Sequence, residues 1–152
     1  MIQSAVPDME TGKRLCIEPR GDINWKVMFH LQICDPSNDR QVYKVDEYGQ
    51  IHSKVDPSLC LRKMGKSNLQ LHGCWDVPGK SNAFLFDRLT STVRLAKEEK
   101  VRVLSIKKNK DPKIGAVISV KPKLIQLLDN GSQLFEVVKR VCIMRIGSNI
   151  SQ

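Results

Sequence analysis

Three stretches decide the fold. They are Tyr43-Lys44-Val45-Asp46-Glu47-Tyr48-Gly49-Gln50-Ile51, Phe84-Leu85-Phe86-Asp87-Arg88-Leu89-Thr90-Ser91-Thr92-Val93 and Gln126-Leu127-Leu128-Asp129-Asn130-Gly131-Ser132-Gln133-Leu134. Each reads as a short strand, an Asp, a small turn and an apolar residue opening the next strand. Asp46, Asp87 and Asp129 lie 41 and 42 residues apart. Two further landmarks recur with them. One is Leu15-Cys16-Ile17, Leu59-Cys60-Leu61, Val103-Leu104-Ser105 and Val141-Cys142-Ile143. The other is Leu31 to Cys34 and Leu71 to Cys74, with a weaker counterpart at Ile118–Val120.

Between these landmarks the chain alternates like a sheet. Val27, Phe29, Leu31 and Ile33 fall on one face of a strand, because strand side chains alternate with period two. Leu69-Gln70-Leu71, Phe84-Leu85-Phe86 and Val101-Arg102-Val103 repeat the pattern. Turn residues interrupt it often, as at Asp35-Pro36-Ser37-Asn38 and Asp56-Pro57-Ser58. Only Thr92–Lys100 has helix-like composition. Repeats of about 40 residues with four short strands suggest propeller blades or a β-trefoil, and three blades fall below the usual minimum of ~4. Three units do close a trefoil, which buries faces that no unit buries alone and removes the sheet edges. The expected fold is therefore all-β, a β-trefoil of three repeats of about 41 residues. Its expected limits are a tail at 1–14, a trefoil at 15–145 with repeats near 15–55, 56–98 and 99–138, and a tail at 146–152.

Composition bounds the function. The 152 residues suit one domain, with 41% hydrophobic and 27% charged residues. No apolar run approaches the ~20 residues of a membrane helix. Met1 to Lys13 holds Asp8 and Glu10 and has no apolar block, so it does not read as a signal peptide. The expectation is an intracellular protein, or one whose leader lies outside this sequence. The net charge is +9, and ten basic against three acidic residues between Arg94 and Lys123 carry most of it. Lys107, Lys108, Lys110, Lys113, Lys121 and Lys123 form a candidate patch for an anionic partner. The alternative is a solvated loop, since the stretch has no aromatic residue to stack a base.

The order Cys-Leu, Leu-x-x-Cys, Gln-x-aromatic, Asp-turn, Ile resembles the ricin B-chain type lectins. In the first repeat the pieces are Cys16-Ile17, Leu31 to Cys34, Gln41-Val42-Tyr43, Asp46 to Gly49, and Ile51. In the second they are Cys60-Leu61, Leu71 to Cys74, Asn82-Ala83-Phe84, Asp87 and Val93. The third lacks both cysteines and carries a Lys-rich insertion at Ile106 to Gly115. The resemblance implies carbohydrate binding without catalysis, and no cofactor is expected. No metal is expected either, since there is no Cys-x-x-Cys and the only close Cys/His pair is His72 with Cys74. It also implies disulfides Cys16–Cys34 and Cys60–Cys74, with Cys142 left over. Paired cysteines would indicate a secreted or extracellular domain of a longer protein; in the cytosol all five would be reduced.

A sugar site of that family needs a carboxylate after the first Cys, a ring near the second, and an Asn before the Gln-x-aromatic motif. A carboxylate and an amide bond the hydroxyls, while the ring stacks on the apolar face of the sugar. Carried over, the first repeat offers Glu18, Gln32 and Arg40, with Asp22 and Trp25 nearby. The second offers Arg62, His72 and Ser81; the third Ser105 or Ile106, and Lys123. No repeat has the full set. The candidate sugar residues are Glu18, Asp22, Trp25, Gln32, Arg40 and His72. Two functions follow: a lectin-like module, with anionic glycans preferred, or a trefoil that has lost sugar binding and contacts protein or nucleic acid through its basic third repeat.

Overall fold

A computed structural model describes the chain except residues 76–78, 80, 99, 123–130, 139–143, 147–148 and 152. The described strands are β1 (Ile2–Ser4), β2 (Leu15–Pro19), β3 (Phe29–Ile33), β4 (Tyr43–Val45), β5 (Ile51–Ser53), β6 (Leu59–Met64), β7 (Asn68–Gly73), β8 (Phe84–Asp87), β9 (Thr92–Leu95), β10 (Arg102–Ile106), β11 (Ile118–Pro122), β12 (Phe135–Val137), β13 (Met144–Ile146) and β14 (Asn149–Ser151). Pro36, Pro57 and Pro112 all stand between strands, where a missing N–H breaks no ladder.

Strand pairing recurs three times. Hairpins β2–β3, β6–β7 and β10–β11 oppose Ile17 to Leu31, Leu61 to Leu71, and Leu104 to Val120. A second set of antiparallel pairs is β4–β5, β8–β9 and β12–β1. Single pairings join the sets at Gln3–Cys16, His52–Cys60 and Arg94–Val103. The three hairpins then close on one another through matching backbone bonds. Leu31 N–H donates to Ala116 O at 2.9 Å, Leu71 N–H to Val27 O at 3.1 Å, and Val120 N–H to Ser67 O at 2.7 Å. This closed threefold ring is the β-trefoil expected from the repeats.

Period two then assigns the faces. Leu15, Ile17, Phe29, Leu31, Leu59, Leu61, Leu69, Leu71, Leu104, Ile106, Ile118 and Val120 are buried in one core. Each such side chain contributes roughly 1.5–3 kcal/mol by leaving water. The opposite face of the second hairpin carries Cys60, Arg62, Gln70 and His72. Arg62 and His72 are therefore set on the face of this hairpin turned away from the core.

Four expectations need correction. The stretch 1–14 is not all tail: Ile2–Ser4 pairs with β12 and β2 and fills the place that β5 and β9 fill elsewhere. The stretch 146–152 holds β14, which pairs with β13. Thr92–Leu95 is strand rather than helical turn, because β-branched Thr92 and Val93 favour extended backbone and both are buried. In the third unit, Asp129 and Asn130 lie outside the described residues, and Gln133-Leu134-Phe135 occupies the Gln-x-aromatic place. Phe84 N–H bonds the preceding turn at Gly49 O (2.9 Å), and Phe135 N–H bonds the next at Ser91 O (2.8 Å). The residue before that motif is thus Ser132, not Lys123. Lys123, Cys142 and the Val141–Ile143 landmark also lie outside the described residues.

Candidate functional site

The first-unit site is filled by its own side chains. Glu18 and His30 face each other across β2–β3. The Glu18 carboxylate accepts from Arg40 Nε at 3.4 Å and Gln41 Nε2 at 3.0 Å. Arg40 also donates to Pro19 O (2.6 Å) and to Gly21 O. Gln41 is buried; it donates to Ile33 O and accepts from Asp35 N–H. Glu18 is therefore a half-buried structural acceptor, and Arg40 ties down the turn where an Asn would face a sugar. Gln32 is half-buried beside Cys16 on the paired strand, and Asp22 is exposed in the β2–β3 turn. This corrects the grouping of Glu18, Asp22, Trp25, Gln32 and Arg40: the structure joins only Glu18 and Arg40, and it carries Trp25 elsewhere.

Trp25 joins the second unit. Its ring centroid is 5.8 Å from that of His72, tilted by 52°, and the indole also covers Gly73. Trp25 is 64% exposed. Arg62 stands where the family pattern has a carboxylate. Its guanidinium lies 3.7 Å above the Trp75 ring and donates through Nε to Ser81 Oγ at 3.1 Å. Trp75 is 39% exposed. The chain has two tryptophans, and both flank Arg62 and His72 on this one face.

Electrostatics leave one cation beside an uncharged ring. Burial pulls the His72 pKa below its usual value, and Arg62 and then Lys26 push the same way. His72 Nε2 lies 3.1 Å from Gln70 Oε1, which fits a neutral ring donating from Nε2. Burial also lowers the Arg62 pKa, yet a guanidinium stays charged at neutral pH. The site presents a cation and a neutral imidazole between two indoles, with no carboxylate among the residues named.

A buried amide that sequence reading missed positions Trp75. Gln50 accepts from Trp75 N–H (2.9 Å) and donates to Trp75 O (2.7 Å). It also accepts from Asn82 Nδ2 (3.0 Å) and donates to Asp46 Oδ2 (3.2 Å). Asn82 in turn receives Gly79 N–H at 2.8 Å. Gln50 thus clamps the turn of one unit to the Trp75 segment of the next. Asp46 takes the Tyr48 and Gln50 N–H groups, as its turn position predicts. Asp87 does the same for Leu89 and Thr90.

Both expected disulfides are present, Cys16–Cys34 and Cys60–Cys74. In the basic patch Lys107, Lys108, Lys110 and Lys113 line a hollow of about 270 Å³. Lys121 is half-buried on β11 and is not among its walls.

No family model and no curated protein matches the sequence. Solved structures do match. The Vibrio vulnificus hemolysin/cytolysin β-trefoil lectin, with N-acetyl-D-lactosamine bound, has a TM-score of 0.67 at 14% identity over 94% of this chain and 95% of that one. The C-half of the earthworm R-type lectin, in complex with GalNAc, gives 0.63 at 18% over 89% and 95%. The agglutinin from Abrus precatorius gives 0.62 at 21% over 90% of this chain and 46% of that one. The fold of this chain is the β-trefoil that these lectins share.

Proposed function

We propose that the protein is a non-catalytic, lectin-like carbohydrate-binding module whose saccharide lies across Trp25, His72, Arg62 and Trp75, with acidic sugars preferred. The observation that carries this reading is the pair of exposed indoles beside one hairpin face, Trp75 under the Arg62 guanidinium and Trp25 against His72. Trp25 offers a free apolar face for stacking a pyranose ring. Among the described residues the hydrogen bond of Arg62 is through Nε, which leaves its terminal nitrogens for a carboxylate or sulfate in bidentate geometry. Support also comes from the fold neighbours, of which the Vibrio lectin and the earthworm lectin hold N-acetyl-D-lactosamine and GalNAc. A glycan array with neutral, carboxylated and sulfated members, run at low and high salt, tests the reading. The expected result is retention of acidic glycans, weakened by salt and by Arg62→Gln. No bound glycan at low salt contradicts it.

A second reading rests on the lysine hollow. Lys107, Lys108, Lys110 and Lys113 converge on one small concavity and suit an anionic macromolecule. Loss of a protein or nucleic-acid partner on neutralising these four lysines, with no glycan bound, would favour it.

A further inference from the structure

The Cys60–Cys74 disulfide has a neighbour that Cys16–Cys34 lacks. His52 pairs with Cys60 across β5–β6, and its Nδ1 lies 3.3 Å from Cys74 Sγ. The two sulfurs and a His52 ring nitrogen all fall within 4.8 Å of one another. At the equivalent place in the first unit stands Gln3, opposite Cys16, with its Oε1 3.9 Å from Cys34 Sγ. An amide is a poor zinc ligand beside thiolates, and an imidazole is a good one.

We infer that Cys60, Cys74 and His52 form a redox-gated zinc site: sealed while the cysteines are paired, open to the metal once they are reduced. Bonds of about 2.3 Å to sulfur and about 2.0–2.1 Å to nitrogen, in tetrahedral geometry, place S and N about 3.5 Å apart and the two sulfurs about 3.8 Å apart. The Cys74–His52 spacing already meets the first requirement. The second needs the disulfide bond to open and the half-exposed Cys74 side chain to turn.

A further contact points to metal chemistry. His52 Nε2 lies 2.8 Å from Asp46 Oδ2. A carboxylate on the far nitrogen accepts the Nε2 hydrogen bond and orients the ring, so that Nδ1 would be the ligand atom once it gives up its own hydrogen, the outer-shell arrangement common around zinc. Nδ1 donates to Pro57 O at 2.8 Å in the oxidised form, and zinc would displace that hydrogen and take the place of the contact. Pro57 and His52 both line a surface groove of about 750 Å³, which brings solvent to the His52 side of the site and would leave the fourth position for water. The chemistry balances with a dithiol as reductant. Two electrons and two protons convert the disulfide into two thiols, and the dithiol closes to its own disulfide. Zinc then binds two thiolates and His52 Nδ1, and the two thiol protons and the Nδ1 proton pass to solvent.

The test uses the full chain reduced with a phosphine, with cobalt(II) as the spectroscopic probe and zinc as its competitor. We expect one equivalent of cobalt with tetrahedral ligand-field bands and a charge-transfer band of two thiolates, displaced by zinc. His52→Gln, which copies Gln3 of the first unit, should weaken zinc at least tenfold, and Asp46→Asn by about tenfold. Cys142→Ser should leave the spectrum unchanged, and the oxidised protein should bind neither ion. No uptake by the reduced chain, folded or not, would overturn the inference. So would His52→Gln with undiminished affinity, or equal binding by the oxidised protein.

Discussion

At the scale of single residues, one position separates the two disulfide-bearing units. Glu18 and Arg62 stand one residue past their respective core partners, Ile17 and Leu61, on matching strands. The carboxylate is consumed by Arg40 and Gln41, while the guanidinium is displayed against Trp75. The site therefore inverts the charge of the family pattern instead of merely losing it. Gln50 shows how such a surface is held. Gln50→Leu removes an amide that serves Trp75, Asn82 and Asp46, and leaves buried polar groups without it. The expected cost is roughly 1–3 kcal/mol of stability, read from chemical denaturation. Saccharide affinity should fall as well, since Trp75 loses its anchor.

At the scale of elements, the turns determine how units lock together. Gly49 has φ +89°, and a Cβ there would lie 2.7 Å from Phe84 O of the next unit. The same carbonyl-rich contact contains the Phe84 N–H to Gly49 O bond. Gly49→Ala should destabilise by about 1–3 kcal/mol through strain and a forced shift of that contact, measurable as a lower denaturation midpoint.

The strands around Leu31, Leu71 and Phe84 were legible because apolar alternation and turn residues agree there. The third unit departs from the expected spacing for a physical reason. Its aromatic lies 51 residues after Phe84, whereas Phe84 lies 41 after Tyr43. The added residues come between the strand partners and leave no backbone rule to align them. A one-residue slip also entered there: the pairing of Leu104 with Val120 places Val103, not Leu104, opposite the role of Cys16 and Cys60. The candidate site was less legible than the fold. Trp25 was grouped with its sequence neighbours, but the ring of hairpins carries it onto His72 of another unit. Gln50 and the His52–Cys74 contact carry no motif, since three-dimensional closure alone brings them together.

At the scale of the whole molecule, closure depends on a strand from the far end of the chain. Met1 and Ile2 reach Val138 and Val137, and Ser4 pairs with Phe135. Stability of this closed body should also fall in mild acid. His30 is lowered first by burial, with Glu18 opposing and Arg20 and Arg40 reinforcing. His72 is lowered by burial, Arg62 and Lys26. An unfolded His titrates near 6.5, so below that pH the unfolded chain binds more protons and stability drops as pH falls. The urea midpoint should decrease between about pH 7.5 and pH 5.5, and His30→Gln with His72→Gln should flatten that slope.

The central claim is that a saccharide occupies the face bounded by the two indoles. Because Trp25 and Trp75 are all the tryptophan the chain has, intrinsic emission reads that face directly. Titration with an acidic oligosaccharide and with its neutral counterpart, in wild type and in Trp25→Phe, is the most direct measurement. The account predicts a saturable change in emission, tighter for the acidic sugar, with affinity reduced about tenfold or more in Trp25→Phe or Arg62→Gln. Emission that does not respond to any saccharide, or binding that both variants leave intact, would contradict it.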